Sequence, residues 1–310
     1  MELDQALALL LAGARPVTDS ESVSTFDAVG RVLAQSQFST INVPPLDNSS
    51  MDGYAVRCTD VSAVGTALPV SQRIPAGSVG QPLQPGTAAR IFTGAPVPSG
   101  ADAIVMQEYV TFAEGRATFN ELPKPGEWIR KAGEDISIGG EVLARGTRLR
   151  PQEVGLAASV GLAELPVFRR VRVALFSTGD ELVMPGNPLP PGAIYNSNRF
   201  LLKGLLEQLG CTVIDFGIVP DRLDATRAAL RTAAAEDKAD LILTSGGVSM
   251  GEEDHIKPAV EAEGVLDHWL VNSKPGRPFA FGRVITGANE AAFIGLPGNP
   301  VSSFVTFLLL

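Results

Sequence analysis

The chain has 310 residues, 45% of them hydrophobic, with a mean hydropathy of +0.16, a formal charge of −9 and a pI near 4.9. That length allows two or three domains with packed cores, and the acidic balance excludes a broad nucleic-acid footprint. Two histidines (His255 and His268) are too few for a His-rich zinc site, and Cys58 and Cys211 lack any metal spacing and read as buried, reduced thiols.

Leu3 to Ala14 predicts a short apolar helix, and Thr25 to Leu33 a second, with Ser24 or Thr25 as its cap. From about Val43 to Glu141 the chain is rich in Val, Ile, Thr, Pro and Gly. Short runs such as Ala89–Thr93 and Ala103–Gln107 are separated by Pro96, Pro98 and Gly100, so a β-rich insertion is expected. Val142 to Leu149 predicts another strand, and Pro151 to Val160 a helix that opens on proline.

Val171 to Phe176 then reads as a buried strand. Asn198 to Leu209 predicts a helix with Leu201, Leu202, Leu205, Leu206 and Leu209 on one stripe, stopped by Gly210. Thr212 to Val219 is the next strand. Leu223 to Glu236 is an alanine-rich helix with Asp221 or Asp224 near its start, and Ala239 to Thr244 is the third strand. This alternation predicts a parallel α/β sheet. A last apolar strand, Ala291 to Gly295, leads into Leu296–Pro300, which opens a helix with Pro300 in its first turn. That helix runs apolar to Leu310, so it is expected to be covered either by more of a larger protein or by another chain. With no apolar run of about 18 residues and no basic leader, neither a membrane span nor a signal peptide is expected, and the location is expected to be cytoplasmic.

The densest chemistry lies at Thr244–Asp254. Gly246, Gly247 and Gly251 offer backbone N–H groups, and Glu252, Glu253 and Asp254 offer carboxylates before a helix predicted from Asp254 to about Glu263. Backbone donors suit anionic oxygen and carboxylates suit a hard cation, so the pair suggests a metal–phosphate site; a glycine-rich turn before a charged helix start is the plain alternative. In a parallel sheet, ligands bind beyond the carboxyl ends of strands. Ser177, Thr178, Gly179, Asp180 and Glu181 follow the first strand, Asp221 the second, Ser245 and Ser249 belong to the loop after the third, and Pro297, Gly298 and Asn299 follow the last. Asp221 is equally readable as a helix cap. Lys274 and Arg277 sit on a proline-bracketed loop suited to an oxyanion. In the β-rich part, Asp52, Thr93 and Asp135 are polar candidates that singly read as structural. No P-loop and no Gly-x-Ser-x-Gly elbow is present.

Taken together, Pro44–Val56, Arg90–Glu108, Gly133–Ile136, Ser177–Leu182, Tyr195–Arg199, Thr244–Asp254, Lys274–Gly282 and Leu296–Pro300 resemble the MoeA family of molybdopterin molybdenumtransferases, and are similar to the gephyrin E-domain. The resemblance implies a multidomain α/β plus β protein: a Mog-like parallel α/β active-site domain at 167–310, an inserted β-rich domain at 46–138, and an N-terminal helical and mixed dimerisation region at 1–45 and 139–166, without the family's C-terminal β domain. It implies insertion of molybdenum from molybdate into adenylylated molybdopterin, with release of AMP and dependence on Mg2+.

It also implies catalytic roles for Asp52, Thr93, Asp135, Glu181, Asp221 and Asp254, with Asp180, Glu181 and Asp254 around the metal. Ser177, Thr178, Gly179, Ser245, Gly246, Gly247, Ser249, Lys274, Arg277, Pro297, Gly298 and Asn299 would bind substrate or anion. Arg277 stands where many relatives have Lys, and Asn196 where many have Asp. A homodimer, a Mog-type adenylyltransferase and molybdoenzyme chaperones are the implied partners, with no nucleic acid and no membrane. Molybdopterin adenylylation and a gephyrin-like peptide-binding scaffold are the alternative readings; the β insertion argues against the first.

Overall fold

The computed structural model describes residues 3–236, 238–248, 255–270 and 278–309. The chain divides into two compact units, Met1–Glu21 with Phe168–Leu310, and Ser22–Val167. It opens with α1 (Leu3–Gly13), which belongs to the first unit.

The second unit is built on six strands, β1 (Gly53–Val56), β2 (Ala67–Ile74), β3 (Ala88–Ile91), β4 (Ala103–Met106), β5 (Val110–Ala113) and β6 (Arg116–Phe119), in the order β4-β1-β3-β2-β6-β5. All neighbours are antiparallel except β2 and β3. Side chains alternate across this sheet, and both faces are apolar. Tyr54 and Val56 pack with Phe119, while Ala55 packs on the other side with Ile74, Ile91 and Ile104. A separate cluster forms around α2 (Pro151–Ser159), whose Ala157 packs with Leu33, Leu149 and Leu165. Glu153 caps this helix by accepting from the Arg150 N–H at 2.9 Å, and the Arg150 side chain holds the Glu153 carboxyl down to about 2.

The first unit continues through β7 (Arg172–Thr178), α3 (Asn198–Gln208), β8 (Thr212–Val219), α4 (Leu223–Arg231), β9 (Leu241–Ser245), α5 (Ile256–Glu263), β10 (Gly264–Leu270), β11 (Pro278–Thr286), β12 (Asn289–Leu296) and α6 (Pro300–Leu309). The strands form one sheet in the order β8-β7-β9-β12-β11-β10. Its two faces read straight off β7. Val173 and Leu175 face α1, α3 and α6 through Ala6, Leu202, Leu206 and Phe307. Ala174 and Phe176 face α4 and α5 through Leu230, Ile256 and Val260. Fully burying a side chain such as Phe176 or Phe293 contributes about 2–3 kcal/mol each, so the three layers are held chiefly by this apolar contact. Among the described residues, no helix is long and apolar enough to cross a membrane.

Several expectations need correction. The sheet is mixed: β8, β7, β9 and β12 are parallel, β11 alone runs against them, joined to β12 by a hairpin that needs no crossover helix, and β10 pairs antiparallel with β11 and so shares the direction of the other four. Thr25 to Leu33 is not a helix. Only a single 3-10 turn, Thr25–Asp27, forms, with the Ser24 hydroxyl accepting from the Phe26 N–H. The backbone beyond it is drawn into a ladder with the 147–149 segment: the N–H groups of Gly30 and Leu33 donate to Leu149 and Thr147 carbonyls at 2.7 and 2.9 Å, and Leu149 N–H donates to Arg31 at 2.8 Å. The strand expected at 142–149 is accordingly short, Glu141–Leu143, followed by an isolated bridge between Val32 and Arg148. The alanine-rich helix ends as α at Arg231 and finishes in a π turn at Thr232–Glu236. Asp221 and Asp224 do not cap it; Arg222 holds the cap position, with no side-chain cap bond.

Both cysteines are free and half-buried, where full burial was expected. Burial, reinforced by the Asp102 carboxylate whose Oδ1 accepts from the Cys58 N–H at 2.7 Å, pushes the Cys58 thiol up to about 12, and burial also raises Cys211. Alkylation of native Cys58 at pH 8 is therefore expected to be roughly 10³-fold slower than that of a free thiol, and to recover on unfolding in urea. Rapid native labelling would contradict this placement.

Candidate active site

Because β7, β8, β9 and β12 run parallel, their carboxyl ends share one rim. Chain order reverses there. β8 follows β7 on one side and β9 lies on the other, so the switch point falls between β7 and β9, where an open sheet leaves a crevice. The crevice is present as a cleft of about 580 Å3. Ser177 and Ser245 face each other at the strand ends, with their hydroxyls 3.2 Å apart.

Eleven of the expected residues meet at this place. Thr178, Gly179, Glu181, Asp221, Ser245, Gly246, Gly247, Pro297, Gly298 and Asn299 line the cleft, and buried Ser177 supports it from beneath. Asp180 lies beside them, its Oδ1 accepting from the Asp221 N–H at 3.3 Å. Ser249, Asp254, Lys274 and Arg277, together with Gly251, Glu252 and Glu253, lie outside the described residues.

The glycines have separate duties. Gly246 has φ +90°, and a Cβ on it would stand 2.5 Å from the Thr178 carbonyl oxygen. Its N–H is already given to the Leu296 carbonyl at 3.1 Å, so Gly246 supplies close backbone approach and not a ligand donor. Gly247, with φ +67°, has an N–H with no acceptor among the described residues, and a Cβ there would meet Thr178 Oγ1 at 2.6 Å. A second donor is the Val301 N–H at the start of α6, since Pro300 has none and the Ser303 N–H is given to the Asn299 carbonyl at 2.9 Å. Asn299 caps the helix, its Oδ1 accepting from the Ser302 N–H at 3.1 Å, with Pro300 in the first turn. The positive end of that helix opens on the cleft, which suits an oxyanion.

Sequence reading alone does not single out Asn198. Its Nδ2 donates to the Gly298 carbonyl at 2.9 Å, joining α3 to the loop before α6, and its Oδ1 is buried with no partner among the described residues. The neighbouring Asn196 is 1% exposed. Its Oδ1 accepts from the Arg199 N–H at 3.2 Å and, more distantly, from Ser177, and its Nδ2 has no acceptor among the described residues. The available signal was periodicity: Asn198, Leu202 and Leu206 form one buried stripe, headed by a polar residue.

For a hard divalent cation the donor chemistry fits. Asp180, Glu181 and Asp221 bring carboxylate oxygen to one loop cluster. Among the described residues, however, no group of three His, Cys, Asp or Glu side chains is close enough to hold a metal.

The β-rich candidates form two separate networks within their own unit. Asp52 Oδ1 accepts from both the N–H and the hydroxyl of Thr93, each at 2.8 Å. Those two bonds, with the Arg90 charge adding less, hold its carboxyl below the usual range. Asp135 instead pairs with Arg130 at 2.5 Å. Asp47 takes Lys131 at 2.8 Å and the Ala132 N–H at 2.9 Å, and is held below the usual range by them.

A doubly wound α/β unit with an oxyanion-ready cleft at its switch point, carried in one chain with a β-rich unit, narrows the class of protein. Comparison with known proteins narrows it further. The family model described as MoeA N-terminal region (domain I and II) matches residues 1–161, and the model described as probable molybdopterin binding domain matches 174–310. The molybdopterin molybdenumtransferase of Haemophilus influenzae is 46% identical over 312 residues, covering 100% of this chain and 76% of the relative. The molybdopterin molybdenumtransferase 2 of Mycobacterium tuberculosis is 40% identical over 317 residues, covering 99% and 76%. The crystal structure of the molybdopterin biosynthesis MoeA protein of Pyrococcus horikoshii matches with a TM-score of 0.85 at 31% identity, covering 100% of this chain and 77% of that one. The chain belongs to the MoeA family.

Proposed function

We propose that this protein is a molybdopterin molybdenumtransferase of molybdenum cofactor biosynthesis, and that it inserts molybdenum from molybdate into adenylylated molybdopterin with release of AMP. The observation that carries the reading is the cleft at the switch point, which Gly247 and the α6 N-terminus line together. Their N–H groups would hold the pyrophosphate. The hydroxyls of Ser177, Thr178 and Ser245 would orient it. Lys274 and Arg277 are assigned to molybdate oxygens, and Ser249 to the same anion loop. Water, or a molybdate oxygen whose ester water then opens, attacks the AMP phosphorus. The P–O–P bond breaks, the other phosphate stays on molybdopterin and AMP leaves, while the two dithiolene thiols replace one oxygen of molybdate, which departs with their protons as water, so no nucleophilic side chain is required.

Asp180, Glu181 and Asp254 would hold Mg2+, with Asp221 beside them. When bound, that ion would supply positive charge to the breaking phosphate bond. Asp52, Thr93 and Asp135 are assigned to the same reaction from the β-rich domain at 46–138. The α/β domain at 167–310 and a dimerisation region at 1–45 and 139–166 complete the proposed division. A homodimer in the cytoplasm, served by a Mog-type adenylyltransferase and by molybdoenzyme chaperones, is the setting this reading favours.

The test is incubation of the protein in its full natural length with adenylylated molybdopterin, Mg2+ and molybdate, following AMP and active cofactor. Molybdate-dependent AMP release is expected; its absence would overturn the reading. Glu181→Gln is expected to raise the Mg2+ concentration for half-maximal turnover about 10-fold or more. An unchanged Mg2+ dependence would remove Glu181 from the metal.

A further inference from the structure

Arg90 stands at the centre of a network that no assignment above uses. It lies on β3, directly beside Tyr54 on β1 and Arg73 on β2 in the sheet register. Its guanidinium carbon is 5.1 Å from the Tyr54 ring centroid and 4.7 Å from that of Phe92, so two rings fix its plane. Arg90 has no carboxylate bonded to it among the described residues. Its NH1 donates to the Gly53 carbonyl at 3.1 Å and its NH2 to Gln107 Oε1 at 2.6 Å. Gln107 in turn donates its own N–H to the Asp52 carbonyl at 3.0 Å. One planar fork therefore bonds the Gly53 carbonyl and the side chain of Gln107, the residue whose backbone N–H holds the preceding carbonyl, that of Asp52. The ring of Phe92 ties the same fork to the residue just before Thr93, which supplies both donors to Asp52 Oδ1.

We infer that Arg90 is a positioning residue: it sets the direction of the Asp52 carboxylate and its bond to Thr93, and so acts on the reaction through Asp52. This rests on the reading of Asp52 as a functional carboxylate. Geometry, not charge alone, is the point. A lysine at this position keeps the cation but cannot span two acceptors in one plane or stack flat on the rings. An exposed arginine that only decorated the sheet would show no such dependence on its fork. The lowered Asp52 carboxyl is consistent, since the Thr93 bonds that lower it most are the ones this network holds in place.

The experiment compares Arg90→Lys, Arg90→Gln and Asp52→Asn in the full-length protein. AMP release is resolved into kcat and KM, and the Asp52 carboxyl is titrated by carbon-13 NMR. Arg90→Lys is expected to lower kcat about 10-fold with KM within about 2-fold, and Arg90→Gln about 100-fold with the Asp52 titration moved upward. Full kcat and an unmoved Asp52 titration in both variants, with Asp52→Asn inactive, would overturn the inference. Full activity in Asp52→Asn would instead sink the reading of Asp52 on which it rests. Should Arg90→Gln not fold, Gln107→Leu at an exposed side chain is expected to lower kcat about 3-fold and shift the same titration; no change in either would count against the network.

Discussion

Replacing Gly246 by alanine is expected to abolish measurable turnover, a loss of at least about 100-fold, and to lower stability by about 3 kcal/mol. Two costs add. The backbone at φ +90° disfavours any side chain, and the new Cβ would sit 2.5 Å from the Thr178 carbonyl oxygen. That oxygen is main chain at the end of β7, so no rotamer change relieves the contact; β7 and β9 must move apart. Their ends form the floor of the cleft, so the movement also breaks the 3.2 Å contact between Ser177 and Ser245. Thermal unfolding and AMP release measured on the same preparation check this. A variant with wild-type stability and turnover would mean that the close approach of these strand ends has no role.

The second large effect is expected at the opposite end of the same strands. Arg169 forks onto Asp240 at 2.7 and 2.8 Å, and the Arg172 N–H adds a third bond at 2.8 Å. The pair is about a quarter exposed, so its removal is costly without reaching the figure for full burial. Asp240→Ala, which leaves the Arg169 guanidinium only the exposed Asp19 carboxylate at 3.0 Å and the Arg170 carbonyl at 3.2 Å, is expected to cost about 2 kcal/mol at neutral pH. Burial alone would push the Asp240 carboxyl up. The Arg169 and Arg172 bonds overcome that and hold it below the usual range, while Arg169 is raised. A carboxyl lowered by folding stabilises the native state above its unfolded pKa and loses that contribution as pH falls through its folded pKa. The difference between wild type and Asp240→Ala should therefore narrow only in acid, below the ordinary carboxylate range. A difference that stays constant down to pH 2 would contradict this sign.

The α/β unit was the more legible part of the chain. Thr212–Val219 matches its predicted span, and Asn198–Gln208 falls one residue short, because buried strands and a leucine stripe leave strong periodic signals. The rim was legible for the same reason: once β7, β8, β9 and β12 are parallel, Ser177, Asp221, Gly246 and Pro297 must lie together. What failed was local propensity opposed by tertiary pairing. The Thr25–Leu33 run reads as a helix from its cap signal, yet its backbone bonds to a segment more than a hundred residues later, which no window of sequence displays. The antiparallel course of β11 was hidden because that strand looks like any other. Asn198 was hidden because an asparagine at a helix start reads first as a cap. The direction of the Gly246 N–H, spent on Leu296, is a property of strand pairing that glycine content alone does not carry.

The central claim is that the pyrophosphate of adenylylated molybdopterin lies at the strand-end cleft, against the Gly247 N–H and the first turn of α6. The most direct measurement is an amide NMR titration of the isotope-labelled protein with that substrate and Mg2+, and with AMP as competitor. The prediction is saturable shifts of the Gly247, Val248 and Val301 amides, reversed by AMP, with β-sheet amides such as Phe293 unmoved. Binding that saturates while those three amides stay still would place the pyrophosphate elsewhere and contradict the account.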